Sequence, residues 1–140
     1  MPLTTPMTRE PLVRLLYVSM LAPKVPVTEV SRIVVVSRLR NANDAITGLL
    51  VFDGAAFCQY LEGPAAAVDA LLDRLSNDPR HCDMQVLVHG AAPATRRFSD
   101  WRLGYVDSFE ADEIGILRGL RGCEALEQFE KVLPQLDVEA

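Results

Sequence analysis

Apolar residues recur along this chain with two periods, and the periods mark out strands and helices. Residues 12–20, LVRLLYVSM, are rich in strand formers and stop before the Pro-bearing LAPKVPV, which predicts a first strand and a loop. The two-residue period of a strand sets Tyr17 and Ser19 on one face with Val13 and Leu15. In SRIVVVSRL the β-branched run favours a buried strand by local propensity. Thr28 as a candidate N-cap, Glu29 behind it and the helical spacing of Val30, Ile33, Val34 and Ser37 predict instead a helix over about 28–40.

Asp53-Gly54 is a turn dipeptide between two apolar runs, so ITGLLVFDGAAFCQYLEG reads as a hairpin with strands over about 46–53 and 56–62. Pro64 opens a second helix, which carries Val68, Leu71, Leu72 and Leu75 on one side and stops at Asn77-Asp78-Pro79. MQVLVHG and FSDWRLGYV, separated by AAPATRR, predict strands four and five. The order β-α-β-β-α-β with one extra strand is the split arrangement of ferredoxin-like folds, an α+β class. That topology decides the valine-rich segment, since a strand there would leave the sheet without one of its layers. It also sets strands one and three side by side at the sheet centre. Beyond about residue 110 the chain is helical in tendency, with stripes of Ile114 and Leu117 and of Leu126, Phe129 and Leu133 that would pack on the sheet. The predicted division is a domain over 1–106 and an acidic helical extension over 107–140.

A chain of 140 residues suits one domain with a proper core. The net charge of −5 lacks the basic surplus of a nucleic-acid binder, so no direct nucleic-acid contact is expected. The charge is uneven: the tail is strongly acidic, whereas the first 106 residues are nearly balanced and take their positive charge from Arg, with Lys24 the exception. Cys58, Cys82 and Cys123 are odd in number and widely spaced, which suggests neither a zinc site nor a disulfide framework. The apolar LVRLLYVSMLA is interrupted by Arg14 and too short to span a bilayer, and no cleavable signal pattern precedes it, so a cytoplasmic location is expected.

Gln59 is the residue that demands an explanation. It lies between Phe57, Cys58, Tyr60 and Leu61 on a strand heading into the core, where an amide without partners costs about 1–3 kcal/mol per lost bond. With strands one and three adjacent, the Tyr17 hydroxyl is its first candidate partner. Asn41, in RLRNANDAITG, could add a second amide, and a Tyr, Gln and Asn set could bind a flat heterocycle. Each also has an ordinary role: Asn41 as a helix C-cap or turn former, Tyr17 as a core aromatic with a locally bonded hydroxyl.

The spacing Tyr17, Asn41, Gln59, with ITGLL after the Asn, FCQYLEGP around the Gln and FSDWRLGY near the end, resembles the BLUF family, the blue-light sensor domains that use FAD. The resemblance covers about residues 12–106 and is to the short, stand-alone type. It implies that FAD is held non-covalently between the first two helices, with Ile33 and Leu75 flanking the two faces of the ring. Asn41 would bond the carbonyl and imide edge, Arg74 would reach the other carbonyl, and Gln59 would touch the ring while meeting Tyr17. His81 matches a position close to the site, although by itself it reads as a loop-to-strand surface residue.

The resemblance further implies a photoreceptor and not an enzyme. Blue light would move an electron and a proton from Tyr17 to the flavin, and their return would leave the Gln59 network rearranged, since an amide can exchange its donor and acceptor ends. Trp101 and Leu103 share a strand face and would carry the signal, with the core-aromatic reading of Trp101 equally open. The family commonly has methionine where this chain has Leu103, which offers similar volume but no sulfur. Output would pass through strand five and the acidic tail to a separate, unidentified partner protein, and a homodimer is compatible with the apolar helical surfaces. Two other classes remain. An acylphosphatase-like hydrolase would need an arginine in the loop after strand one, where LAPKVPVTE has only Lys24. A non-photoactive ferredoxin-like binding module would leave Gln59 and Tyr17 simply satisfying each other.

Overall fold

The computed structural model describes residues 11–105, 112–133 and 137–138. The predicted boundary at 106/107 and the start of the tail lie outside these residues. The chain runs β1 (Leu12–Leu21), α1 (Glu29–Asn43), β2 (Thr47–Phe52), β3 (Ala56–Pro64), α2 (Ala65–Ser76), β4 (His81–Ala91), β5 (Trp101–Tyr105), α3 (Glu113–Arg118), α4 (Gly122–Val132) and β6 (Asp137–Val138). The strands form one sheet in the order β4-β1-β3-β2-β5-β6. Pairing is antiparallel from β4 through β1 and β3 to β2, parallel between β2 and β5, and antiparallel again from β5 to β6. The α+β, ferredoxin-like topology is thus the one read from the sequence, with β1 and β3 adjacent at its centre.

β1 buries both its faces, which is why it reads as a nearly continuous apolar run. Leu15 and Tyr17 join Leu50, Leu61 and Leu103 in a core with Val30, Val34, Val68 and Leu71 from α1 and α2. Leu16 and Val18 join Leu49, Val51 and Tyr60 in a second core with Ile114 and Leu117 of α3 and Ala125 and Phe129 of α4. The sheet is therefore sandwiched between two helical layers. Each fully buried leucine or valine contributes about 1.5–3 kcal/mol relative to exposure.

The valine-rich segment is a helix, because Val30, Val34 and Asn41 recur on its buried side and that burial outweighs the small helical penalty of β-branched residues. It runs three residues past the predicted end. Asn41 is therefore inside the last turn and Asp44 is the C-cap, while Thr28 precedes the helix without a side-chain capping bond. The hairpin forms as predicted, with Asp53 Oδ1 accepting from the amides of Ala55 at 2.9 Å and Ala56 at 2.7 Å. The two apolar stripes of the tail lie on α3 and at α4, and Asp137–Val138 adds a sixth strand, paired with Gly104 and Tyr105 and too short to leave a pattern. One expectation is corrected. β5 begins at Trp101 and not near residue 98, because the amides of Arg97 and Phe98 bond the Glu62 carboxylate in place of a sheet ladder.

Candidate functional site

The register places Tyr17 directly opposite Gln59. Both are buried, and Gln59 Nε2 donates to the Tyr17 hydroxyl at 2.6 Å. On its other side Gln59 Oε1 accepts from the indole Nε1 of Trp101 at 2.9 Å. An indole can only donate, so its contact fixes which end of the amide faces which neighbour. The Tyr17 oxygen accepts from Gln59, which leaves its own proton free to point elsewhere. Burial holds that phenol well above its usual pKa, against the opposing pull of the Gln59 bond, so the hydroxyl keeps its proton at neutral pH.

Trp101 sits on β5, two strands away from Gln59, with β2 between them. Its β2 neighbour is Gly48, where a Cβ would collide with the Tyr60 carbonyl of β3. A pattern of polar and apolar residues cannot reveal this bond, because it joins two strands that are not neighbours in the sheet. Leu103 faces the same core one pair further along, opposite Leu50, which is in turn opposite Gln59.

Tyr17 and Gln59 line the inner end of a slot between α1 and α2, together with Ile33, Leu75 and His81. Its outer end is lined by Asn41, Arg74 and, again, Ile33 and Leu75. The two ends hold about 40 and about 80 Å³ and share five residues, so they are parts of one narrow cleft. The residues singled out in the sequence for cofactor binding thus converge, one wall coming from each helix. Trp101 and Leu103 do not line it; Trp101 reaches it through Gln59.

Several polar groups along this cleft lack partners. Asn41 is 2% exposed, and its Oδ1 accepts no bond. Arg74 Nε and Nη2 are shielded without a hydrogen bond; Nη2 is 4.0 Å from Asp44 Oδ2, an ion-pair distance only. Ser19, on the same face of β1 as Tyr17 but not among the residues lining the cleft, also has an unpartnered Oγ. Such orphans are rare in folded proteins and point to a ligand. An amide acceptor, guanidinium donors, a tyrosine–glutamine pair and two apolar walls fit a flat ring with carbonyl and imide groups.

His81 is fixed by two contacts. Its Nε2 lies 2.5 Å from the Leu75 carbonyl, which requires the ring to donate there, and its ring meets Tyr17 edge-on at 6.3 Å. The sequence reading passed over Arg80 and Asp78, which line both ends of the cleft. Asp78 grips the Arg80 guanidinium at 2.8 to 3.3 Å, and those bonds lower the Asp78 pKa and raise that of Arg80. Their place between the helix-stopping Asn77 and the site residue His81 was the available signal.

A second buried network lies on the opposite face of β3. Glu62 is fully buried, and Tyr60 donates its hydroxyl to Oε2 at 3.1 Å. The amides of Arg97 and Phe98 donate to Oε1 at 2.7 and 3.3 Å, and the Arg97 side chain reaches Glu130 of α4 at 2.7 Å. Burial, and then the neighbouring carboxylate, push the Tyr60 hydroxyl up to about 12. Among the described residues no cluster of side chains could hold a metal ion, and no helix is long and apolar enough to cross a membrane.

A ferredoxin-like sheet with a tyrosine–glutamine pair beneath an interhelical cleft defines a class of small ligand-binding sensor domains. Over residues 12–104 the chain matches the family described as BLUF, sensors of blue-light using FAD. It is 35% identical over 85 residues to the blue light- and temperature-regulated antirepressor BluF of Escherichia coli K12, a match covering 61% of this chain and 21% of that protein. It is 38% identical over 93 residues to the photoactivated adenylate cyclase subunit beta of Euglena gracilis, covering 66% of this chain and 11% of that one. The dark-state structure of the BLUF protein BlrB superposes with a TM-score of 0.72 at 33% identity, over 89% of this chain and 96% of the other. The chain belongs to the BLUF family. It spans about a fifth or less of the two curated relatives, both of which are much longer proteins.

Proposed function

We propose that this protein is a blue-light photoreceptor that holds FAD non-covalently between α1 and α2 and signals to a separate partner protein. The carrying observation is that Gln59 is bonded on both sides, with its orientation set by a donor-only neighbour. Ile33 and Leu75 form the walls, Asn41, Arg74 and Arg80 supply polar groups to the ring edge, and His81 closes the inner end. Opening the narrow cleft to admit the ring requires α1 and α2 to part. When bound, the flavin supplies blue-light absorption and a reversible electron acceptor.

The protein's own part follows from hydrogen-bond chemistry. Tyr17 is the nearest phenol and has a proton free to leave. If the Gln59 amide rotates and exchanges its ends, its NH2 group faces the indole N–H of Trp101, and two donors cannot bond. The Gln59–Trp101 bond is then lost, and the event in the cleft becomes an event on β5. Residues 1–106 form the sensing domain in this reading, and 107–140 an extension that carries output from β5, in the cytoplasm. Family membership sets aside the hydrolase reading.

The test is the visible absorption spectrum in the dark and after blue light. A flavin spectrum with a small red shift that reverses in the dark is expected, with FAD released on denaturation and identified by mass. Tyr17→Phe should retain flavin and lose the shift. A normal shift in that variant would remove Tyr17 from the mechanism, and a wild-type protein that takes up no flavin would overturn the whole reading.

A further inference from the structure

Glu62 is a buried charge for which the tyrosine–glutamine pair has no use. It is 0% exposed and lies on the face of β3 away from Gln59, with Tyr60 beside it and Arg14 of β1 as its partner in the register. Arg14 bonds the Tyr60 hydroxyl, which in turn donates to Glu62 Oε2 at 3.1 Å. Taking a carboxylate out of water is costly, and an apolar residue would cost less there unless the oxygens are needed as acceptors. Oε1 shows the need, since it accepts from the amides of Arg97 at 2.7 Å and Phe98 at 3.3 Å.

Those amides belong to the irregular, mostly exposed segment 92–100 between β4 and β5. Its backbone is tied at the start, where the Ala92 amide donates to the Leu12 carbonyl at 3.0 Å, and at the end, where the Asp100 carbonyl accepts from the Gly48 amide at 2.9 Å. Glu62 ties it in between. The Arg97 side chain also reaches Glu130 at 2.7 Å, but both partners are half-exposed and water screens that pair. Trp101 comes next. As the first residue of β5 it depends for its placement on how the chain before it is held, because strand ends fray. Its indole nevertheless reaches Gln59 to within 2.9 Å across β2. β3 supplies both reference points: Gln59 takes the indole on one face, and Glu62 takes the chain three and four residues earlier on the other.

We propose that Glu62 is a positioning residue for Trp101: its carboxylate holds the Arg97 and Phe98 amides so that β5 starts where the indole meets Gln59. Without it the segment 92–100 keeps its two ends and loses its middle, and the first pair of the parallel ladder, Gly48 with Trp101, frays. A side-chain contact that spans two strands needs such support from a rigid element. The bearing on signalling rests on the photoreceptor reading, in which Trp101 reports the state of Gln59.

The chain has one tryptophan, so its indole N–H gives a single, assignable resonance in a proton–nitrogen correlation spectrum of the full-length, flavin-loaded protein. Glu62→Ala should move that resonance toward the position of an unbonded indole. It should also speed exchange of the indole proton by about tenfold or more relative to the β1 amides of the same sample, which report global opening. Glu62→Gln keeps a carbonyl for the two amides and should restore the wild-type spectrum. Tyr60→Phe removes a bond from the network without touching those amides and should leave the indole unchanged. Where Glu62→Ala does not fold, Glu62→Leu fills the site without an acceptor and reads the same quantity. The proposal is overturned if the acceptor-free variant keeps the wild-type indole resonance and relative exchange, if Glu62→Gln fails to restore them, or if Tyr60→Phe moves them as far, which would make the effect one of general packing. Illumination separates the two readings. A wild type without the flavin red shift removes the photoreceptor and leaves the dark comparison standing, whereas an unmoved indole in the acceptor-free variant with an intact flavin shift removes Glu62 alone.

Discussion

At the scale of the residue, the cleft is built from groups that the protein alone leaves unsatisfied. Asn41 illustrates the consequence. Its buried Oδ1 has no partner, and a buried orphan costs about 1–3 kcal/mol. Asn41→Leu, which keeps a similar bulk, should therefore raise the melting temperature of the flavin-free protein while lowering flavin affinity. Thermal unfolding of the apoprotein and flavin titration check both halves. An apoprotein that melts earlier would mean that the amide is already satisfied, for instance by water. The same logic of stability given up for a site applies to Arg74, whose Nε and Nη2 are shielded without hydrogen-bond partners.

At the scale of the element, β3 is the strand that links the two sides of the sheet. Gln59 looks toward α1 and α2, whereas Tyr60 and Glu62 look toward the loop before β5 and toward α4. Glu62→Ala should destabilise by about 2–4 kcal/mol, because two amides and a hydroxyl lose a buried acceptor together. Glu62→Gln retains a carbonyl and should cost less. Urea unfolding decides it, and two variants as stable as the wild type would show that the loop finds other partners. Much of this element plan was legible in the sequence. The Asp53-Gly54 turn, the strand period of β1 and the apolar face of α2 are local signals, and topology then paired Tyr17 with Gln59. What escaped was non-local. The Trp101–Gln59 bond spans β2 to join strands that are not neighbours, the late start of β5 needs the Glu62 carboxylate, and β6 is two residues long. The valine run of α1 read ambiguously for a physical reason, since its apolar residues face the core, the cleft and solvent at once.

At the scale of the whole molecule, β5 does two jobs. It carries Trp101, and it completes the ladder of β2 from Gly48–Trp101 to Phe52–Tyr105. Without it β2 would present a row of unpaired amides and carbonyls flanked by Leu49, Leu50 and Val51, a template for joining another chain. A sensor that released this strand in order to signal would become sticky in daylight. A ladder closed in both states is therefore expected, and amide hydrogen exchange over residues 47–52 should be the same in dark and light. Faster exchange there under illumination would mean that the strand itself lets go. If the ladder stays closed, no adhesive edge opens under illumination, and solubility sets the upper bound on how far the signal can move.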